Sequence, residues 1–211
     1  MRKMVIVLLS LFITTTAPAS PSSKWLFHKS ENNIVLHYRE HAGGLVEIRA
    51  QTFIPTSYSA FLLLLEDEDN VPRWIDNVSS AQVLKQISPT ENIVYTRFDA
   101  PWPAKDRDMV TYSKFSRSPF GFVLTITDAP ASALETQPGF IRIRRVKASW
   151  TLEKLTNNTT HIEYRAFADP SGALPNWLVN QLALDSAYQT FLGLQRELPK
   201  YQGKTHPYVE E

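Results

Sequence analysis

Residues 172–199 read GALPNWLVNQLALDSAYQTFLGLQRELP, and their spacing predicts one long amphipathic helix at the end of a chain otherwise patterned as strands. Pro175 suits the first helical turn, where its missing N–H costs nothing, and Pro199 supplies a stop. Stepping about 100° per residue from Trp177 puts Ala183, Leu184, Ala187, Tyr188, Phe191, Leu192, Leu194 and Leu198 on one broad arc. Asp185, Ser186, Gln189, Thr190, Arg196 and Glu197 take the other side, joined by Leu178, Val179 and Leu182. Those three apolar residues either meet another loop or stay available to a membrane or partner. Burying such an arc is worth roughly 1.5–3 kcal/mol for each large side chain removed from water. The same arc also fits an ordinary core helix. A sheet with one long apolar helix laid across it directs attention to a ligand cavity rather than to a catalytic motif.

Upstream, period-two segments follow one another. Ile34–His41 and Leu45–Phe53 flank Gly43-Gly44, a hairpin signal. Further strands are expected at Ala81–Ile87, Asn92–Asp99, Asp108–Phe115, Phe122–Thr127, Phe140–Leu155 and Thr160–Ala168. Helical patterns interrupt at Ser23–Ser30, Thr56–Asp67 and Pro72–Ile75, and 128–139 reads as a long surface loop. Apolar phase flips between Ile143 and Val146, which a β-bulge at Arg144-Arg145 explains; the other reading puts Arg145 and Lys147 inside, at heavy cost without an acid partner. The natural solution is α+β: a curved, largely antiparallel sheet with a helix packed across it.

The N-terminus reads MRKM, then VIVLLSLFI, then TTTAPAS. A basic start, an apolar run too short to span a bilayer and Ala17-Pro18-Ala19 predict a secretory signal peptide over 1–19, cut after Ala19. One domain is then expected over 20–211, with a C-terminal tail from about 200. The mature protein is expected to be exported, periplasmic in a two-membrane bacterium and otherwise secreted. The chain has no Cys, which excludes a disulfide framework and a lipid-modified cysteine. With 22 Lys+Arg against 21 Asp+Glu, the formal charge of +1 makes no electrostatic case for nucleic acid.

Three stretches carry a resemblance: NVPRWIDNV (70–78), YTRFDAPWPAKDRDMVTY (95–112) and DPSGALPNWLVN (169–180). In that order ahead of a final helix, they resemble the START family of steroidogenic acute regulatory protein-related lipid transfer domains, in its bacterial secreted form, from about Trp25 to Pro199. The resemblance implies a helix-grip fold, in which the curved antiparallel sheet wraps around the long C-terminal helix and leaves a hydrophobic tunnel. It implies one lipid, sterol or similar ligand, carried or scavenged by a monomer, with transient membrane-surface contact, no cofactor and no metal.

On that reading, Leu184, Tyr188 and Phe191 roof the tunnel, and Tyr95, Tyr112, Phe122, Leu124, Trp150 and Tyr164 are candidate walls. Each also fits an ordinary packed core. Arg97, which shares strand parity with Tyr95 and Asp99, is the candidate for a head-group or hydroxyl contact if it faces inward; facing outward it is a solvated charge. Arg107-Asp108 matches an Arg-Asp pair of the family and reads as a structural ion pair. In Ala100-Pro101-Trp102-Pro103 two prolines restrict the backbone, so Trp102 is expected at the tunnel mouth, touching the bilayer interface beside Leu178, Val179 and Leu182, or else packed inward on the loop base.

Catalytic signals are weak. His37-Tyr38-Arg39-Glu40-His41 matches an inverted zinc-peptidase pattern, but that chemistry needs a helix and strand alternation puts Glu40 opposite the two histidines. No Gly-x-Ser-x-Gly elbow is present. Two other function classes remain open: a helix-grip enzyme acting on a hydrophobic substrate, cyclase- or hydrolase-like, and a ligand-sensing interaction module.

Overall fold

The computed structural model describes residues 24–100, 104–118, 121–155 and 158–209. Segment 1–19, expected to be a signal peptide, and Trp102 lie outside the described residues. In chain order the strands are β1 (Leu26–Glu31), β2 (Ile34–Glu40), β3 (Val46–Ile54), β4 (Val78–Ser88), β5 (Glu91–Phe98), β6 (Arg107–Ser118), β7 (Gly121–Asp128), β8 (Ile141–Arg142), β9 (Arg144–Lys154) and β10 (Thr160–Asp169). Three helices join them: α1 (Tyr58–Glu66), α2 (Val71–Trp74) and α3 (Asn176–Glu197). The strands form one sheet in the order β1-β2-β3-β10-β9-β7-β6-β5-β4, with antiparallel neighbours along that path. Strand β8 pairs in parallel with the start of β6. A curved antiparallel sheet gripping a C-terminal helix is the helix-grip architecture.

Local chemistry explains most of the elements. Strands β2 and β3 close around Gly43 and Gly44, at φ +96° and +81°, values that L side chains rarely adopt. The Ser57 side chain caps α1 by accepting the Ala60 N–H at 3.0 Å. One element differs from its expected type: the segment around Ser23–Ser30 holds a strand, β1, rather than a helix. Asn32 and Asn33, at φ +51° and +59°, make the tight turn that pairs it with β2. Arg145 sits at φ +56°, and the register with β10 shifts between Phe167 and Asp169. The sheet therefore bends where the apolar phase flips, and Arg145 stays outside, its side chain 62% exposed.

The core lies between the sheet and the helices. Phe61, Leu152, Ile162, Phe191, Leu194 and Leu198 are fully buried there. Helix α3 crosses α2 closely enough that a Cβ on Gly193 would lie 2.3 Å from the Trp74 carbonyl oxygen, so this crossing requires glycine. Pro175 is the N-cap of α3 rather than its first helical residue, and beyond Glu197 the chain tightens into a 3-10 turn over Leu198–Tyr201. Two residues expected on the polar side are buried. Thr190 accepts the Asp76 N–H at 3.1 Å, and Glu197 pairs with Arg196 and Lys200 at 3.2 and 2.5 Å.

Candidate ligand cavity

A cavity of about 450 Å³ lies between α3 and the β4–β5–β6 half of the sheet. Its size falls within the range of small-molecule sites, roughly 300–1,000 Å³. Inward-facing residues are Val78, Ala81 and Val83 on β4, where the register shifts after Val78, and come from alternate positions on the next two strands, Val94 and Phe98 on β5, Met109 and Phe115 on β6. Leu124 and Ile126 continue the wall on β7, and Trp150, Tyr164 and Ala166 form its inner end. Leu62, Leu65, Val71 and Ile75 close it from the α1–α2 side.

Helix α3 contributes Val179, Leu182, Ala183, Ser186, Ala187 and Thr190. These positions form an i, i+3, i+4, i+7, i+8, i+11 stripe, one face of a helix. Leu184, Tyr188 and Phe191 are instead on the adjacent core-packed face and do not border the cavity. Phe191 stacks on Trp150 at 5.6 Å between ring centroids, and the Tyr188 hydroxyl accepts a hydrogen bond from Asn32 Nδ2 at 2.7 Å. The side of α3 that carries Val179 and Leu182 thus faces the hollow. Leu178 is half-buried, and Trp177 before it is 71% exposed.

Of the expected walls, Leu124, Trp150 and Tyr164 line the cavity. Trp150 and Tyr164 are in ring contact at 4.3 Å, and burial pushes the Tyr164 hydroxyl up to about 12. Phe122 is packed in the core against Tyr58 and Phe115. Tyr95, Arg97 and Tyr112 have the opposite parity and lie on the outer face of the sheet. There Ile93, Tyr95 and Val110 form a small second core under Leu134 of the 128–139 loop. Arg97 is exposed, donates to the Tyr95 hydroxyl at 3.3 Å and lies over the Phe140 ring. It does not point into the cavity.

Arg107 and Asp108 do not pair with each other. As strand neighbours they face opposite sides of the sheet. Asp108, 1% exposed, is held on the outer face by Arg142 through Nε and Nη2 at 2.7 and 2.9 Å, and Tyr95 Oη donates to it at 3.3 Å. Hydrogen bonding to Asp108 raises Arg142 above its ordinary value. Arg107 borders the cavity at 8% exposure, with Nε on the Pro170 carbonyl at 3.3 Å and Nη1 on the Lys105 carbonyl at 2.6 Å. Burial lowers the Arg107 pKa from its ordinary value.

The walls also carry neutral polar groups that sequence reasoning passed over: Asn92, Thr96, Thr111 and Ser113. Asn92 Oδ1 is buried with no hydrogen-bond partner among the described residues. The available signal was strand parity: Asn92, Val94, Thr96 and Phe98 are one face of β5, and Ile93, Tyr95 and Arg97 the other. Ala100 and Ala104, which flank residues 101–103, both border the cavity.

A sheet wrapped on a helix around an apolar hollow defines a domain built to hold a hydrophobic molecule. Residues 19–197 match the START domain, and the chain belongs to that family. Its fold resembles that of a STAR-related lipid transfer protein from Xanthomonas axonopodis, with TM-score 0.76 and 26% identity over 83% of this chain and 98% of that one. The uncharacterized protein PA1579 of Pseudomonas aeruginosa is 25% identical over 177 residues, 83% of this chain and 87% of its own length. Human START domain-containing protein 10 is 21% identical over 155 residues, 68% of this chain and 53% of the human protein.

Proposed function

We propose that this protein binds one hydrophobic ligand in the cavity under α3 and acts outside the cytoplasm as a monomeric carrier or scavenger. The observation that carries the reading is the second, largely half-buried face of α3. The Val179–Thr190 stripe borders a hollow of about 450 Å³, although Ala183 and Ala187 also touch the packed core. Ligand hydrocarbon placed there leaves water at about 25 cal/mol per Å² of buried apolar surface, which drives binding without a covalent step. The relatives named as lipid transfer proteins support the same reading.

Export rests on the signal sequence over 1–19, and a passing contact with membrane rests on the exposed Trp177 and on Trp102, since indole rings favour the bilayer interface. The deciding experiment is organic extraction of protein recovered from its native host, followed by mass spectrometry. One apolar molecule per chain is expected, together with an N-terminus beginning after Ala19. Protein that repeatedly comes out empty, and that takes up no apolar probe, would end the proposal.

A further inference from the structure

Resting on that reading, we infer that the ligand is a single-chain amphiphile with an anionic head, a carboxylate or phosphate, seated on Arg107. Among the described residues bordering the cavity, Arg107 is the sole cation; Glu66, Glu68, Asp76 and Asp99 are the other charged groups. No described carboxylate forms an ion pair with Arg107, and the neighbouring Asp108 is committed to Arg142 on the opposite face. A guanidinium has five N–H donors in a planar fork. Among the described residues two of those of Arg107 are taken, both by neutral carbonyls. The remaining donors match the two-oxygen edge of a carboxylate or phosphate. Exposed Asp106 acts on Arg107 only at longer range, without an ion pair, and a buried charge without a paired counter-charge is costly; an anionic head entering the cavity would supply one.

Placement sets the direction of the chain. Arg107 stands at the start of β6 and Phe115, also on the wall, stands eight residues on, about 26 Å away at roughly 3.3 Å per residue. Between them lie Met109, Thr111 and Ser113, with Val94 and Thr96 opposite on β5. Carboxylates border the cavity toward both ends, Glu66 beside His206 and Phe115 and Asp99 just past the Phe98–Arg107 pair. What marks the Arg107 end is its guanidinium, the only group there among the described residues that can donate to an anionic head as a fork. The volume suits one apolar chain better than two.

The test is displacement of a bound fluorescent long-chain fatty acid by palmitate, hexadecanol and palmitoyl lysophosphatidate, which share one chain and differ in the head. Wild-type protein should prefer palmitate to hexadecanol by roughly tenfold or more. Arg107→Gln should bring the two within about threefold, and Arg107→Lys should keep part of the preference. Tighter displacement by lysophosphatidate than by palmitate assigns a phosphate head, and the reverse assigns a carboxylate. Equal affinity of wild-type protein for palmitate and hexadecanol, or a full preference surviving in Arg107→Gln, overturns the inference. The wild-type comparison needs no variant, so it stands even if Arg107→Gln fails to fold. Binding of none of these compounds, hexadecanol included, would instead sink the ligand-binding reading itself.

Discussion

Arg142 grips both oxygens of Asp108, at 2.7 and 2.9 Å, on the outer face of the sheet, leaving Arg107 on the inner face with no ion-paired carboxylate among the described residues. The two arginines thus have separate tasks. Arg142 also donates to the Leu134 and Glu135 carbonyls, at 3.2 and 3.0 Å, and so fastens the 128–142 segment over Tyr95 and Val110. Arg142→Met would strand a carboxylate that is 1% exposed, and the expected loss is about 3–5 kcal/mol of unfolding free energy. Urea unfolding measures it. A loss below about 1 kcal/mol would show that Asp108 finds water or another donor instead.

The core-packed and cavity-facing sides of α3 should respond differently to substitution. Leu184→Ala removes packed core and should cost about 2–5 kcal/mol. Ser186→Phe adds bulk toward the cavity, and its stability should stay within about 1 kcal/mol of wild type, while affinity for a neutral apolar probe falls at least about tenfold. Thermal melts and probe fluorescence read both quantities. Undiminished probe binding by Ser186→Phe would remove α3 from the cavity wall.

Asn92 faces the hollow with a buried Oδ1 that has no hydrogen-bond partner among the described residues. Replacing an unsatisfied polar group with an apolar one of similar shape relieves a desolvation cost. Ligand-free Asn92→Leu should therefore be more stable than wild type by about 1 kcal/mol in urea titrations. Destabilisation by a similar amount would mean that the amide is hydrogen-bonded in solution.

Glu197 is buried near the end of α3, and the hydrogen bond from Lys200 holds its carboxyl below the ordinary range, with further donation from Arg196 and Asn70 outweighing the opposing effect of burial. A depressed folded-state pKa adds stability above the unfolded value of about 4.3 and loses it as the pH falls through the lower folded value. Wild type should exceed Glu197→Gln in urea midpoint near neutral pH, with the gap closing on acidification below about pH 4. A gap constant with pH would assign the difference to packing rather than to charge.

How much was legible from residue order differs from place to place. The Gly43-Gly44 hairpin, α1, α2, the bend near Arg144 and the extent of α3 follow from turn chemistry and periodicity, which act over a few residues. β1 was misread because its register is set by the turn at Asn32-Asn33 and by pairing with β2, not by a strong pattern of its own. Tyr95 and Tyr112, candidate walls, and Arg97, a head-group candidate only if it faced inward, lie on the outer face of the sheet for a related reason. The 128–139 loop buries part of the outer surface, so aromatic residues are stable on both sides and parity alone does not say which side is inner.

Local order therefore determined a curved antiparallel sheet, a long closing helix and, through three short motifs, the family. Tertiary structure decided which buried stripe of α3 meets side chains and which meets a void, because Leu182 and Leu184 are equally apolar and differ only in what lies opposite. It also decided that Arg107 faces the hollow while Asp108 faces Arg142. Consecutive strand residues point to opposite sides, but only the assembled sheet, covered on both faces, turns that alternation into a cation on the cavity wall and an ion pair on the far face.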